Sequence, residues 1–217
     1  MERKRVEEAL IISEERYALA ARGANDGLWD WNLKTNEIYF SPRWKLILGY
    51  EENEIGTDPD EWFKRVHEED IEELRSTLKE HLEGLTPHHE LEYRMMHQNG
   101  TYRWMLTRSI AVRDSENIPS RLAGSQTEVT KRKIAEEKLL HDALHDALTD
   151  LPNRELLMAR LEQAITKNKE DINAEFAVLL LDLDRFKVIN VGQGHELGDQ
   201  LLIEISHRLR TYLREVD

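Results

Sequence analysis

The sequence predicts an α+β chain: an antiparallel five-stranded sheet with helices on one face, a connecting helix, and then an incomplete α/β region. Three observations predict it. Apolar and polar residues alternate with period two in several short runs between Leu28 and Val129, the signature of half-buried strands. Ile71, Leu74, Leu78 and Leu82 recur at helical spacing, as do the pairs 139/140, 143/144 and 147/148. A short apolar run, Phe176 to Leu181, precedes another helical pattern, Leu201, Leu202, Ile205, Leu209 and Leu213.

Residues 1–22 read as a helix, ended by Gly23 and the Asn25-Asp26-Gly27 cluster. Leu28 to Trp31 and Glu37 to Phe40 read as strands around a polar turn. Ser41-Pro42 supplies an N-cap and a first-turn proline for a short helix ending near Gly49. A helical region covers residues 60–83. Leu91, Tyr93 and Met95 form a third strand, and Asn99-Gly100 a tight turn. Tyr102, Trp104, Leu106, Ile110 and Val112 share one parity in a fourth strand, and residues 121–129 make the fifth. A helix then runs from Thr130 to about Leu148, and after Leu151-Pro152-Asn153 another runs to about Lys167. Phe176 to Leu181 is expected as a buried strand, Gly192 to Gly198 as a glycine-rich turn, and Asp199 onward as an amphipathic helix.

With 217 residues and a formal net charge of −13, the chain is a poor nucleic-acid binder, because phosphate neutralisation needs clustered Lys and Arg. It has no cysteine, which removes disulfides, thiol nucleophiles and cysteine zinc sites and fits a cytoplasmic location. No apolar run approaches 18 residues, so no membrane segment is expected. Residues 3–10 match residues 132–139 at five of eight positions. Either charged helices simply look alike, or the first helix is the exit helix of a further sensor domain upstream.

Residues 13–130 resemble a PAS sensor domain with its PAC segment. The resemblance rests on Ser13 to Tyr17, Asn25 to Trp31, Phe40 to Trp44 with Leu48-Gly49-Tyr50, Val66 to Asp70, Glu92 to Met95, Gly100 to Trp104, and Gly124 to Thr130. It implies the PAS fold, with Glu128 standing where the family usually has Asp. Such domains bind small molecules or cofactors, or dimerise. A flavin photoadduct would need a cysteine. Haem would need an axial ligand, for which His67, His81, His88, His89 and His97 are the candidates, although a His in a polar stretch is more often surface. Trp29, Trp31, Trp44 and Trp104 are expected in the core rather than around a cofactor.

Residues 141–217 resemble the N-terminal part of a GGDEF (diguanylate cyclase) domain. The motifs are Asp146-Ala-Leu-Thr-Asp-Leu-Pro-Asn-Arg154, Leu181-Asp-Leu-Asp-Arg-Phe-Lys-Val-Ile-Asn190 and Gly194-His-Glu-Leu-Gly-Asp199. No Gly-Gly-Asp/Glu-Glu-Phe run follows. The resemblance implies a homodimer that joins two GTP into cyclic di-GMP with Mg²⁺, each 3′-hydroxyl attacking the other nucleotide's α-phosphate. It makes Asp182 and the Leu183 backbone carbonyl metal ligands, with Asp184 as support. Lys187 would reach phosphate, and Asn190 and Asp199 would read the guanine. Val191 replaces the family's usual Asp and is expected to perturb the turn near the base. Arg214 and Asp217 match a product-inhibition motif, or merely end a helix. His141 and His145, four apart, offer a metal pair without a third ligand, or a solvated helix face. The expected organisation is a signalling helix (1–22), a PAS/PAC domain (23–130), a linker helix (131–148) and a partial GGDEF domain (149–217).

Overall fold

The computed structural model describes residue 23 and residues 25–170 and 176–213. The helix expected over residues 1–22, and Arg214 and Asp217, lie outside the described residues. The chain divides into two compact units, residues 1–133 and 134–217.

The first unit is a five-stranded antiparallel sheet of order β2-β1-β5-β4-β3. Its strands are β1 (Gly27–Asn32), β2 (Glu37–Phe40), β3 (His89–Met96), β4 (Tyr102–Arg113) and β5 (Pro119–Glu128). Between β2 and β3 lie α1 (Pro42–Ile47), α2 (Asp60–Phe63) and α3 (Ile71–Leu82). The local signals explain the ends. Ser41 caps α1 by accepting from the Trp44 amide, with Pro42 at the first position. Gly100 takes φ +84° in the β3–β4 turn, and the Asn99 side chain accepts from the Thr101 amide.

Helices and sheet close over an aromatic core. Trp29, Trp44, Trp62 and Tyr93 are at most 2% exposed. The rings of Trp29 and Trp62 lie 4.6 Å apart, and those of Phe40 and Trp44 4.1 Å apart. Trp29 pairs across β1 and β5 with Gly124, where a Cβ would come within 2.7 Å of its ring. Trp31 is half-buried against this core, but Trp104 lies on the opposite face of the sheet, so the expectation of four core tryptophans is corrected to two with one at the margin.

The parity of β4 is also the reverse of a simple apolar-inward reading. Met105, Thr107 and Ser109 face the helices, paired with Tyr93, Leu91 and His89. Tyr102, Ile110 and Val112 stand on the outer face, 43–57% exposed. Polar residues hold the inner positions because they have partners there, which removes most of the burial penalty.

The second unit is helical among the described residues. It contains most of α4 (Thr130–Leu144), then α5 (Arg154–Glu170), α6 (Phe186–Gln193) and α7 (His195–Tyr212). Helix α4 stops at Leu144, short of Leu148, because Asn153 closes its end. The expected strand at Phe176 to Leu181 is not formed, and its side chains are 46–96% exposed where measured. A strand needs a neighbour for its backbone groups, and no described segment pairs with this one. The expected glycine-rich turn narrows to Gly194, with φ +92°, and Gly198 lies inside α7.

One buried amide ties the first unit's layers together. Gln126 Oε1 accepts from Trp44 Nε1 at 2.9 Å and from the Tyr93 hydroxyl at 3.3 Å. That hydroxyl accepts from Trp62 Nε1 at 2.8 Å, and burial pushes the Tyr93 pKa upward, so it stays a neutral donor. Gln126→Leu leaves two buried donors unpaired. A loss of about 2–4 kcal/mol of unfolding free energy is expected, measured by urea titration followed through tryptophan fluorescence.

Candidate nucleotide site and signal relay

The candidate haem histidines are largely spoken for. His81 Nδ1 contacts Thr86 and its Nε2 accepts from the Ala111 amide at 3.0 Å. His89 Nε2 meets Thr77 Oγ1 at 3.0 Å and Nδ1 meets Ser109 Oγ at 3.3 Å. Both buried rings thus use their two nitrogens to join α3 to β4, which is a structural role. His67 and His97 each accept a backbone amide at Nδ1, from Glu69 and Asn99, and His88 is exposed. Among the described residues, His67, Glu69 and Asp70 are the one group close enough to share an ion. Both carboxylates already bind Arg94, at 2.6–2.9 Å, and its guanidinium holds them below the usual carboxylate range.

The exit from the sheet is pinned by its own chemistry. The Trp104 amide donates to Thr130 Oγ1 at 3.0 Å, and the Val129 amide returns to the Trp104 carbonyl at 2.8 Å. Glu128 accepts from Arg103 at 3.0 Å, so the longer acid still finds a partner. In the first turn of α4, Lys133 bonds Glu92 at 2.6 Å and lies over the Trp104 ring at 5.0 Å, and Arg132 also bonds Glu92. These cations hold the Glu92 carboxyl low. Trp104, expected in the core, is therefore the outer-face seat of the exit helix.

At its other end, α4 meets a turn built by two Asx residues. Asn153 donates from its amide nitrogen to the Leu144 carbonyl at 2.9 Å and from Nδ2 to the Ala143 carbonyl at 2.7 Å, closing α4. Its Oδ1 accepts from the amides of Glu155 and Leu156 and starts α5. Asp146 Oδ1 accepts from Thr149 Oγ1 at 2.7 Å and from the amides of Leu148 and Thr149, which lowers its pKa. His141 meets Asp150 at 2.5 Å, and Asp150 meets Arg210 of α7 at 2.8 Å. The first contact, then the second, holds the Asp150 carboxyl low. His141 and His145 stack at 3.9 Å with no third ligand among the described residues, and His141 serves the turn through Asp150. The signal for this joint was in the sequence, as Asp-x-x-Thr followed by Pro-Asn before a helix.

The residues expected at a nucleotide are only partly brought together. Asp182 and Asp184 are exposed in the segment that enters α6, and Asp182 Oδ1 accepts from the Leu183 amide at 2.9 Å. The Leu183 carbonyl accepts from Phe186 at 3.4 Å, and Arg185 begins α6 with φ +58°. This all-oxygen donor pair fits a hard cation such as Mg²⁺, which accepts one or two protein ligands and otherwise keeps water or phosphate. Lys187 and Asn190 lie on α6 three residues apart, Lys187 exposed. Asn190 packs against Gly198 of α7, the residue before the exposed Asp199. Val191 is 80% exposed inside α6, so it does not form part of the Gly194 turn.

Comparison with known proteins places this geometry. The family described as PAS fold matches residues 37–126, and the family described as Diguanylate cyclase, GGDEF domain, matches residues 143–217. A solved structure of a sensory box histidine kinase/response regulator from Burkholderia thailandensis E264 is 38% identical, with TM-score 0.51, covering 57% of this chain and 92% of that one. The bifunctional diguanylate cyclase/cyclic di-GMP phosphodiesterase MucR of Pseudomonas aeruginosa is 48% identical over 46% of this chain and 15% of its own length. Diguanylate cyclase TpbB of Pseudomonas aeruginosa (strain UCBPP-PA14) is 46% identical over 36% of this chain and 18% of its own. The molecule is a sensor-type domain followed by a GGDEF-type domain. The chain carries a PAS fold domain at residues 37–126, followed by a GGDEF domain at residues 143–217. It spans less than a fifth of the length of these two curated relatives.

Two outcomes follow from these contacts. Burial, then the neighbouring His81, depresses the His89 pKa to about 4, below its ordinary 6.5. The unfolded chain therefore binds the proton first as pH falls, and stability present above pH 6.5 is lost toward pH 4. Unfolding free energy is expected to drop by about 2 kcal/mol between pH 7 and pH 5, and His89→Gln is expected to flatten that slope. Asn153→Ala removes both caps; faster amide exchange at Glu155 and Leu156 is expected, with a loss of about 1–2 kcal/mol in the second unit.

Proposed function

We propose that this chain is the sensor-to-catalyst segment of a PAS-regulated diguanylate cyclase. The observation that carries the reading is the pinning of α4 at both ends, on Trp104 and Glu92 at its start and on Asn153 at its finish, with no buried residue in between. A helix held at its ends and bare along its length transmits rotation. Leu139 and Leu140 are 63–70% exposed on it, neighbouring apolar side chains suited to the same helix of a second copy. A change in the PAS half then turns the two GGDEF halves of a homodimer toward or away from each other, a two-state repacking.

In the facing state, each subunit contributes one GTP. Asp199 accepts from the guanine ring N–H and exocyclic amine, Asn190 completes the base contact, and Lys187 neutralises phosphate. Each 3′-hydroxyl forms a bond to the partner nucleotide's α-phosphorus while pyrophosphate leaves, giving cyclic di-GMP and two pyrophosphates. Asp182 and the Leu183 carbonyl, with Asp184 nearby, would hold Mg²⁺, which would supply charge neutralisation of those phosphates. Arg214 and Asp217 are the product-inhibition pair in this scheme. The working compartment is the cytoplasm, where GTP is available. The domain bounds are 1–22, 23–130, 131–148 and 149–217.

The sequence contains no Gly-Gly-Asp/Glu-Glu-Phe run, and the segment before Asp182 is exposed and unpaired. The chain by itself therefore binds nucleotide without turning it over. The same observation favours a second reading, a non-enzymatic PAS sensory or dimerisation module whose GGDEF region only binds nucleotide or a partner. A complete signature loop in the parent protein decides for the enzyme, and a degenerate one for the module.

Incubation of the purified chain with GTP and Mg²⁺ is expected to yield GTP binding in preference to ATP by calorimetry and no cyclic di-GMP by chromatography. Measurable turnover would refute the inactivity of this segment. Equal affinity for GTP and ATP would refute the guanine reading.

A further inference from the structure

Asn190 Oδ1 is buried and has no hydrogen-bond partner among the described residues. The atom faces Gly198 of α7, where a Cβ would lie 1.9 Å from Oδ1, 3.0 Å from Asn190 Cγ and 3.4 Å from Phe186 Cζ. Gly198 is itself buried in α7, a position where alanine is normally the better helix former. Gly198 instead admits the Asn190 carboxamide into the space a side chain would fill. The Cα–H that replaces a Cβ points at Oδ1, a weak but favourable contact for an orphaned oxygen. The reverse amide orientation would bury an N–H₂ group there, and buried donors are left unpaired less often than carbonyl oxygens.

We propose that Gly198 is a positioning residue for nucleotide binding: it takes up the oxygen of the Asn190 amide and leaves Nδ2 as the group presented to the base. The proposal rests on the guanine reading of Asn190 and Asp199 above and adds a direction to it. Asn190 then acts as a donor toward an acceptor on the purine, and Asp199, next in sequence to Gly198, as an acceptor toward its N–H groups. A donor and an acceptor set on two adjoining helices match a base edge carrying both kinds of group, as guanine's does. The buried unsatisfied oxygen is the cost of fixing that direction before the ligand arrives.

The test combines melting temperature with calorimetric affinity for GTP and ATP, using the full chain with Mg²⁺. Gly198→Ala is expected to lower the melting temperature, against the helix preference for alanine. In an Asn190→Ala background the same change is expected to raise it, because the obstructing amide is gone. Gly198→Ala is further expected to weaken GTP binding about tenfold, equivalent to about 1.4 kcal/mol, with ATP binding unchanged. Asn190→Asp removes the donor and places carboxylate charge on the unpartnered buried oxygen; a lower melting temperature and a similar loss of GTP preference are expected.

A Gly198→Ala chain that melts at or above the wild-type temperature overturns the contact. One that melts lower but binds GTP as well as wild type overturns the positioning role. Unchanged GTP binding by Asn190→Asp overturns the donor assignment, and this variant decides the matter if Gly198→Ala does not fold. Equal binding of GTP and ATP by the wild-type chain defeats the guanine reading and the ligand proposed here. The two melting signs still decide separately whether Gly198 orients the amide.

Discussion

The closed interior of the PAS unit depends on one side-chain amide. Gln126 sits on β5, the middle strand of five, and is fully buried. Its oxygen serves Trp44 from α1 and Tyr93 from β3, and Tyr93 in turn serves Trp62 from α2. Its nitrogen lies 2.8 Å from Met95 Sδ. Large aromatic rings could slide over one another at small cost if only dispersion held them, because dispersion has little direction. Hydrogen bonds aimed at a single acceptor remove that freedom, and a fully satisfied polar network in a low-dielectric core rigidifies it. The indole nitrogens that a purely apolar core would strand are thereby used to fix where α1 and α2 lie on the sheet. Trp29 Nε1 is the exception, buried without a partner.

The same logic, with charge added, governs the exit from the sheet. Glu92 and Trp104 occupy the outer face, away from the aromatic core, and receive Arg132 and Lys133 of α4. The inner and outer faces of β4 are thus specialised. One packs the core through Met105 and through polar side chains with fixed partners, and the other carries the aromatic ring that the departing helix rests on. A change in how the sheet packs has a direct route to the start of α4 through these residues. At the far end of the helix, Asn153 caps two helices with one carboxamide, its nitrogen closing α4 and its oxygen opening α5. That arrangement leaves little slack between the two helices.

Much of this was legible in the residues. The strand alternation, Ser41-Pro42, Asn99-Gly100 and the spacing of Leu74 and Leu78 each report local chemistry, and each formed as read. The failures share a cause. The shared parity of Tyr102 to Val112 does not say which face is inner, and Thr107 and Ser109 take the inner positions by bonding to Ser125 and His89, residues distant in sequence. Trp104 was assigned to the core because its size argues for burial, and no local pattern announces that a ring will support a helix from the outer face. His141 was read as a metal ligand or a solvated residue, since its partner Asp150 is nine positions away across a turn.

The two units differ most where backbone pairing is concerned. In the PAS part every strand finds a neighbour within the chain, so period-two alternation is converted into structure. In the GGDEF part the run Phe176 to Leu181 has the composition of a buried strand but no neighbour among the described residues, and composition alone does not create one. The helices α6 and α7 suffer no such dependence, because their hydrogen bonds are internal and their mutual contact needs only Phe186, Asn190 and Gly198 to fit. This explains why Asn190 and Asp199, expected at the base, come from one packed helix pair, while Asp182 and Asp184 stay in an exposed segment. Asn190 and Asp199 belong to a helix pair that is complete in itself, whereas Asp182 follows an apolar run with no described neighbour to pair with. Half of the candidate site is a property of local helices and half a property of long-range pairing.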